Sequence, residues 1–459
     1  MSLNSGFTQK NIPLALIRFA VPGVITILMA ELYNMVDTFF VGFYAGASHQ
    51  GASGIGALGI AFPVQRLIIA LSLMIGVGSA TAVSRALGEK NNKNISANIG
   101  ASLSLGFVVL ALVPLFFYLF SAQILNMLGA RGEILKQSKS YLDIIVVGTF
   151  FLGFTNIFGY QMTALGHPGI TLIATSIGAL TNIAADYLLV GKYGMGVRGA
   201  AAATLFSQFC ALLYTLYKVR IYRRLHGFLL KPVCNLRLMR IILAVGFATF
   251  IVEISDAVLI AALNNILLPV GGNDAVIIIG AITRVSMFMY IMIIGISAGM
   301  QPLAAYSYGA GDYPRVKKIV KITSLMVLLS SALLWAAFLL FTGQIIGSFM
   351  KNPELLEETV SVFRFTIMIF PVISFYYVCI YYCQSVGKAG LGFFLSVYRQ
   401  LLLFIPLLYI LAKIFGMQGA WMTYPVTDFL AALSGSYFLW KNMRGLEEKK
   451  GRSHAQRGL

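Results

Sequence analysis

Residues 12–44 read "IPLALIRFAVPGVITILMAELYNMVDTFFVGFY", and the fold class follows from this stretch. It is apolar all round rather than on one stripe, and only Arg18, Glu31 and Asp37 carry charge. At about 1.5 Å per residue, such a helix is longer than the roughly 30 Å hydrocarbon core of a bilayer. A membrane-crossing strand would alternate apolar and polar residues with a period of two, and this run does not. No short apolar core with a small-residue cleavage site marks it as a signal peptide, so it reads as a retained helix.

Comparable runs follow at 55–86, 95–119, 139–164, 168–190, 196–219, 237–262, 276–306, 316–342, 360–385, 389–413 and 418–440, which makes twelve expected spans. Between them lie breaks with turn chemistry: "GEKNNKN" at 88–94, "GHPG" at 166–169, "GGND" at 271–274, "GAGDYP" at 309–314 and "KNPE" at 351–354. Composition agrees. The 459 residues are 58% hydrophobic and 11% charged, with a mean hydropathy of +0.83, where soluble chains carry roughly 25% charge.

The net charge of +18 would point to nucleic acid in a soluble protein, but its placement argues for a bilayer. Most of the 34 Lys and Arg fall where alternate loops face one side, including Lys218, Arg220, Arg223, Arg224, Lys231, Arg237 and Arg240 in the central loop. Arg315, Lys317, Lys318 and Lys321 join them, as does the tail from Lys441 to Arg457. By the positive-inside rule these ends are cytoplasmic, with both termini inside, and the basic loops suit an anionic inner leaflet.

The polar stretch "RIYRRLHGFLLKPVCNLR" at 220–237 divides the chain into halves of six spans. The expected organisation is a first lobe over 1–219, a basic linker over 220–236, a second lobe over 237–440 and a basic tail over 441–459. The halves repeat. "GHPG" at 166–169 matches "GKAG" at 387–390 at an offset of 221, and "GVRGA" at 196–200 matches "GMQGA" at 416–420 at 220. Gly78 and Gly88 match Gly299 and Gly309, again at 221. Two lobes in the same orientation, working about a site near the midplane, are a common transporter plan.

A carboxylate at the bilayer centre costs at least about 2.5–3.5 kcal/mol, so intramembrane acids are candidates for function. They are Glu31, Asp37, Asp186, Glu253, Asp256 and Asp428, and the intramembrane arginines are Arg66, Arg284, Arg364 and Arg399. Tyr33 is one helical turn before Asp37, and Asn182 one turn before Asp186, so each pair shares a helix face. Thr204 in the next span adds a hydroxyl. This set suits a shared proton or an oxygen-ligated Na⁺; capping, or pairing with Lys192 or Arg198, is the structural alternative for Asp186. Glu253 and Asp256, three residues apart on one face, suit a second cation or a cationic substrate, with neutralisation by Arg284 or Arg364 as the alternative. Glu31 points to a face other than that of Asp37.

Tyr376, Tyr377, Tyr381 and Tyr382 form the densest aromatic group. With Arg284 they are candidate cavity-lining residues among 33 Phe, 22 Tyr and 18 Met. Cys379 and Cys383 read as small packing residues, because no third ligand is near. The histidines (His49, His167, His226, His454) show no metal spacing. No phosphate-binding loop occurs, which turns the expectation from ATP to an ion gradient as the energy source.

The motifs "YNMVDTFFVG" at 33–42, "GVGSATAVSRALGEKN" at 76–91, "LGARGE" at 128–133, "ALGHPG" at 164–169, "TNIAADYLLV" with "GMGVRGAAAAT" through 204, and "AGMQPLAAYSYGAGD" at 298–312 occur in order along the chain. Together they resemble the multidrug and toxic compound extrusion transporters of the multidrug/oligosaccharidyl-lipid/polysaccharide flippase superfamily, closest to the prokaryotic branch with the DNA-damage-inducible type. The resemblance implies an all-α integral membrane fold, twelve helices in two six-helix lobes forming a V, with drug–H⁺ or drug–Na⁺ antiport. It assigns the principal cation-linked acid to Asp37 and supporting roles to Asn182, Asp186, Thr204 and Tyr33. In some members acids of spans seven and ten form a second cation site. Glu253 matches the first, but span ten has no carboxylate, and Asp256 has no counterpart.

The expectation is therefore a secondary active transporter, not an enzyme, of a bacterial inner membrane. It needs no cofactor beyond a coupling ion (H⁺, Na⁺ or K⁺), acts as a monomer in the bilayer on small amphipathic substrates, and binds no nucleic acid. A dedicated exporter of one self-made metabolite and a lipid-linked oligosaccharide flippase are the alternatives.

Overall fold

The computed structural model describes residues 7–45, 49–349 and 353–457; within these the side chains of residues 33–35 (Tyr33 among them), 38, 44–45, 49–53, 55, 225–226, 257, 264, 349 and 447–457 lie outside the described set. The helices are α1 (Ile12–Ala45), α2 (His49–Gly88), α3 (Asn92–Leu119), α4 (Ser121–Met127), α5 (Gly132–Ala164), α6 (Gly169–Asp186) and α7 (Gly196–His226). Then come α8 (Leu236–Gly309), α9 (Tyr313–Leu340), α10 (Thr342–Phe349), α11 (Pro353–Thr366), α12 (Ser374–Ser385), α13 (Ala389–Val397) and α14 (Ile405–Arg457). A π-helical segment, Tyr187–Lys192, continues α6, and another, Tyr398–Phe404, joins α13 to α14. No strand occurs among the described residues.

Two long helices are double. As one rod, the 74 residues of α8 would reach about 110 Å, but the backbone breaks at Gly272 (φ 65, ψ −160). The apolar stretch Ala389–Leu446 breaks in the same way at Gly416 (φ 60, ψ −140). Pro353–Thr366 and Phe370–Ser385 meet at a 46° bend and together are long and apolar enough to count as one broken span. Counted so, the described residues hold twelve apolar spans, as the sequence leads one to expect.

Helix starts are fixed by short polar side chains that accept from otherwise unpaired N–H groups. Asn11 accepts from the Leu14 N–H and Asn91 from that of Asn94. Asn235 accepts from Leu238 and Asp312 from Arg315, each at 3.1 Å.

The internal repeat is visible in the backbone. Gly166 (φ 93) and Gly387 (φ 75) close the same turn, their N–H groups donating to Thr163 and Gln384, each at 3.0 Å. The next N–H donates to Met162 in one half and Cys383 in the other. Lys90 (φ 56) and Gly311 (φ 72) form a second matched turn, ahead of the caps Asn91 and Asp312. Here a lysine holds a left-handed backbone that the second half gives to glycine.

The chain packs as two compact units. The first takes residues 25–253, and the second takes 7–24 with 254 onward. The divisions fall inside spans one and seven rather than in the 220–236 stretch. In the first unit the start of span seven lies so close to Gly78 that a Cβ there would overlap the Ile242 carbonyl. In the second, the start of span one also lies too close to Gly299 to admit a Cβ, against the Ala20 backbone. The second unit also buries Phe7 between Phe19 and Tyr306, with Arg315 donating to the Phe7 and Gln9 carbonyls at 2.6 and 2.8 Å.

Candidate functional site

Among the described residues the buried charged side chains are Asp37, Asp186, Arg399 and Asp428. The first two lie in one unit and the last two in the other, and the two pairs are built differently.

Asp37 comes from span one, Asp186 from the end of α6, and Thr204 from α7. The Thr204 hydroxyl donates to Asp37 Oδ2 at 3.0 Å. Asp186 and Asn182 flank Asp37 as well. Asn182, Asp186 and Thr204 are fully buried and Asp37 is 4% exposed. Asp37 Oδ1, both Asp186 oxygens and both ends of the Asn182 amide meet no partner at hydrogen-bonding geometry among the described residues. Among the described residues Asp186 makes no side-chain cap, and the Arg198 guanidinium reaches Ser140 instead.

Local sequence places these groups. α6 turns π-helical at Tyr187, just after Asp186; such segments are rare overall and frequent at functional sites. One turn after Asp37 and Asp186 stand Val41 and Val190, and one turn before Thr204 stand Ala200 and Ala201; these pack with Ala61, Tyr141, Ile145 and Val197 into an apolar cluster. That packing keeps water off one side of the carboxylates and lowers the local dielectric. Tyr141, on α5, is the one aromatic residue among the buried members of that cluster. Sequence reading missed it, because no local spacing ties span four to spans one and five.

Two carboxylates at this depth, with no Lys or Arg in ion-pair reach among the described residues, call for a positive charge. A proton shared between them would supply it. So would a small monovalent cation held by their oxygens with Asn182 and Thr204, since hard cations take oxygen ligands.

The other candidates are arranged otherwise. Arg66 donates through Nη2 to Glu31 at 3.2 Å and through Nη1 to Glu253 at 3.5 Å. The neighbour of Glu253 is thus Arg66 rather than Arg284 or Arg364, because span seven begins packed on span two. Arg284 is exposed, and Arg364 donates to the Thr342 hydroxyl and Leu339 carbonyl. Glu253 and Asp256 fall in different units, and Asp256 accepts from the Gln400 amide.

The tyrosines divide too. Tyr376 is buried and donates to the Leu395 carbonyl. Tyr382 is fully buried, Tyr381 half-buried, and Tyr377 accepts from Arg399 Nη1 at 3.4 Å. Arg399 also donates to Asp428 Oδ1 from Nε and Nη2, at 3.0 and 2.8 Å.

Fold and site together define a polytopic helical membrane protein with an internal repeat and a carboxylate pair buried in one of its two units. The chain belongs to the MatE family, the multidrug and toxic compound extrusion transporters, whose pattern matches residues 22–188 and 239–410. It is 25% identical over 440 residues to the multidrug export protein MepA of Staphylococcus saprophyticus, covering 95% of each chain. MepA of Staphylococcus aureus (strain MSSA476) is 26% identical over 442 residues, again with 95% of each covered. A crystal structure of MATE in the straight conformation matches with a TM-score of 0.88 at 22% identity, over 96% of this chain and 100% of that one. That last likeness is one of fold.

Proposed function

We propose that this protein exports small amphipathic, often cationic compounds across a bacterial inner membrane, driven by inward movement of H⁺ or a monovalent cation such as Na⁺ or K⁺. The reading rests on one observation: Asp37 and Asp186 are buried side by side with no basic partner among the described residues. Multidrug export is what the names of the MepA relatives state of those proteins, and it supports the substrate class.

The ion enters from outside and neutralises the Asp37–Asp186 cluster. Span one then repacks near Pro22 and Gly23, where it passes from one compact unit to the other. Pro22 has no N–H to complete the helix ladder, so bending there costs less than elsewhere. Ion and substrate favour different arrangements of the same unit, and alternating access follows from that competition. One charge moving down 100 mV releases about 2.3 kcal/mol, enough for a roughly 50-fold concentration ratio. Both termini are cytoplasmic in this scheme, and the chain works as a monomer without a cofactor.

The test is efflux of a fluorescent cationic dye from cells producing wild type or Asp37→Asn at equal membrane levels, in Na⁺ or in choline. Pumping by wild type and none by the variant supports the reading, and loss in choline assigns Na⁺. Equal pumping by both removes Asp37 from the mechanism. No pumping by either turns the search to a dedicated metabolite or lipid-linked substrate.

A further inference from the structure

The two units treat their buried acids in opposite ways. Asp37 and Asp186 have no basic partner among the described residues, whereas Asp428, the one buried carboxylate of the second unit among those residues, is held by Arg399. That guanidinium has three further restraints. Nη2 donates to the Tyr290 hydroxyl at 2.5 Å, Nη1 donates to Tyr377 at 3.4 Å, and the group lies over both rings, 5.3 and 6.0 Å from their centroids. The residues come from α8, α12, α14 and the π-helical segment Tyr398–Phe404, so elements far apart in sequence converge on one charge.

Burying such a pair returns little stability, since desolvation of both ions consumes most of their attraction. The placement is also uncommon: Arg399 lies in a π-helical turn, a rare element frequent at functional sites. Stability alone therefore does not account for the pair. Charge does. Arg399 gives Asp428 a permanent partner, and the first unit's acids have none among the described residues.

We infer that Arg399 is a tethered counter-ion, filling at Asp428 the place that a proton or an exchangeable monovalent cation would take in a bare carboxylate site. The second unit then keeps constant charge through the cycle while the first alone gains and loses a positive charge. The consequence for transport rests on the coupling proposed for Asp37 and Asp186; the occupancy of Asp428 does not, and it is read without transport.

The experiment is thermal unfolding of the purified full-length protein in detergent, with Na⁺ exchanged for choline at constant ionic strength, and separately across mildly acidic to neutral pH. All variants are made on an Asp37→Asn/Asp186→Asn background, so that the first unit does not respond. Around Asp428 the other groups are Tyr290, Tyr377 and Tyr424, with Asp256 near Tyr377; these stay unchanged throughout. The background protein is expected to melt independently of cation. Arg399→Met bares Asp428, and its melting temperature should rise with Na⁺ or with acidity, on the order of 2 °C per tenfold cation above the Kd. Asp428→Asn added to Arg399→Met should abolish that response, and Arg399→Lys, which keeps a tethered charge, should not show it.

If Arg399→Met fails to fold, recovery of folded protein by adding Asp428→Asn gives the same conclusion. Three results overturn the inference: no new response to Na⁺ or pH in a folded Arg399→Met protein, a response that survives Asp428→Asn, or failure of both single and double variants to fold.

Discussion

The Thr204 hydroxyl of α7 donates a 3.0 Å hydrogen bond to the Asp37 carboxylate of span one, 167 residues earlier in the chain. It engages Asp37 Oδ2 and leaves Oδ1 without a hydrogen-bond partner among the described residues. A hydrogen bond to a charged group is worth about 1.5–3 kcal/mol. Thr204→Val keeps the shape and removes the donor, so dye efflux at equal membrane levels should fall roughly 10- to 100-fold. Thr204→Ser should retain most of it. Equal efflux by the valine variant would detach Thr204 from the site.

The matched turns at Lys90 and Gly311 predict opposite responses. Lys90 is exposed and holds φ 56, a left-handed backbone that costs a non-glycine residue roughly 1 kcal/mol. Lys90→Gly should leave folding stability unchanged or raise it by up to about that amount, and Gly311→Lys should lower it by about 1 kcal/mol. Melting temperatures in detergent give the comparison.

Arg66 serves Glu31 and Glu253 at once, from a half-buried position. Partial solvation limits the contribution of each pair to about 1 kcal/mol. Arg66→Met should nonetheless destabilise by more than Glu253→Gln, because it leaves two acids together. The double variant should be less destabilised than the sum of the single effects, as residues sharing one interaction are. Strict additivity would mean the contact is not formed in the membrane.

Much of this fold is legible along the chain because membrane helices announce themselves by local composition. The span expected at 95–119 appears at Asn92–Leu119, and the repeat first seen as "GHPG" and "GKAG" appears as two turns with the same hydrogen bonds. Spacing within one helix likewise places Asn182 and Asp186 on a common face. What could not be read is partnership between distant positions. Arg66 and Glu253 are 187 residues apart, and Arg399, on a π-helical segment, meets Asp428 from a helix that begins after that segment ends. The exchange of the first parts of spans one and seven depends on backbone contact at Gly78 and Gly299, and one glycine among 45 carries no such label. Tyr141 was invisible for the same reason.

The central claim is that the Asp37–Asp186 cluster binds the ion whose entry drives export. The most direct measurement is ion movement itself, in liposomes containing the purified protein, a cationic dye gradient and an internal pH indicator, with ²²Na⁺ uptake in parallel. Wild type should move H⁺ or Na⁺ opposite to the dye and concentrate the dye against its gradient. Asp37→Asn and Asp186→Asn, reconstituted in equal amounts, should do neither. Uphill dye movement with undiminished counter-ion flux in Asp37→Asn would contradict the account.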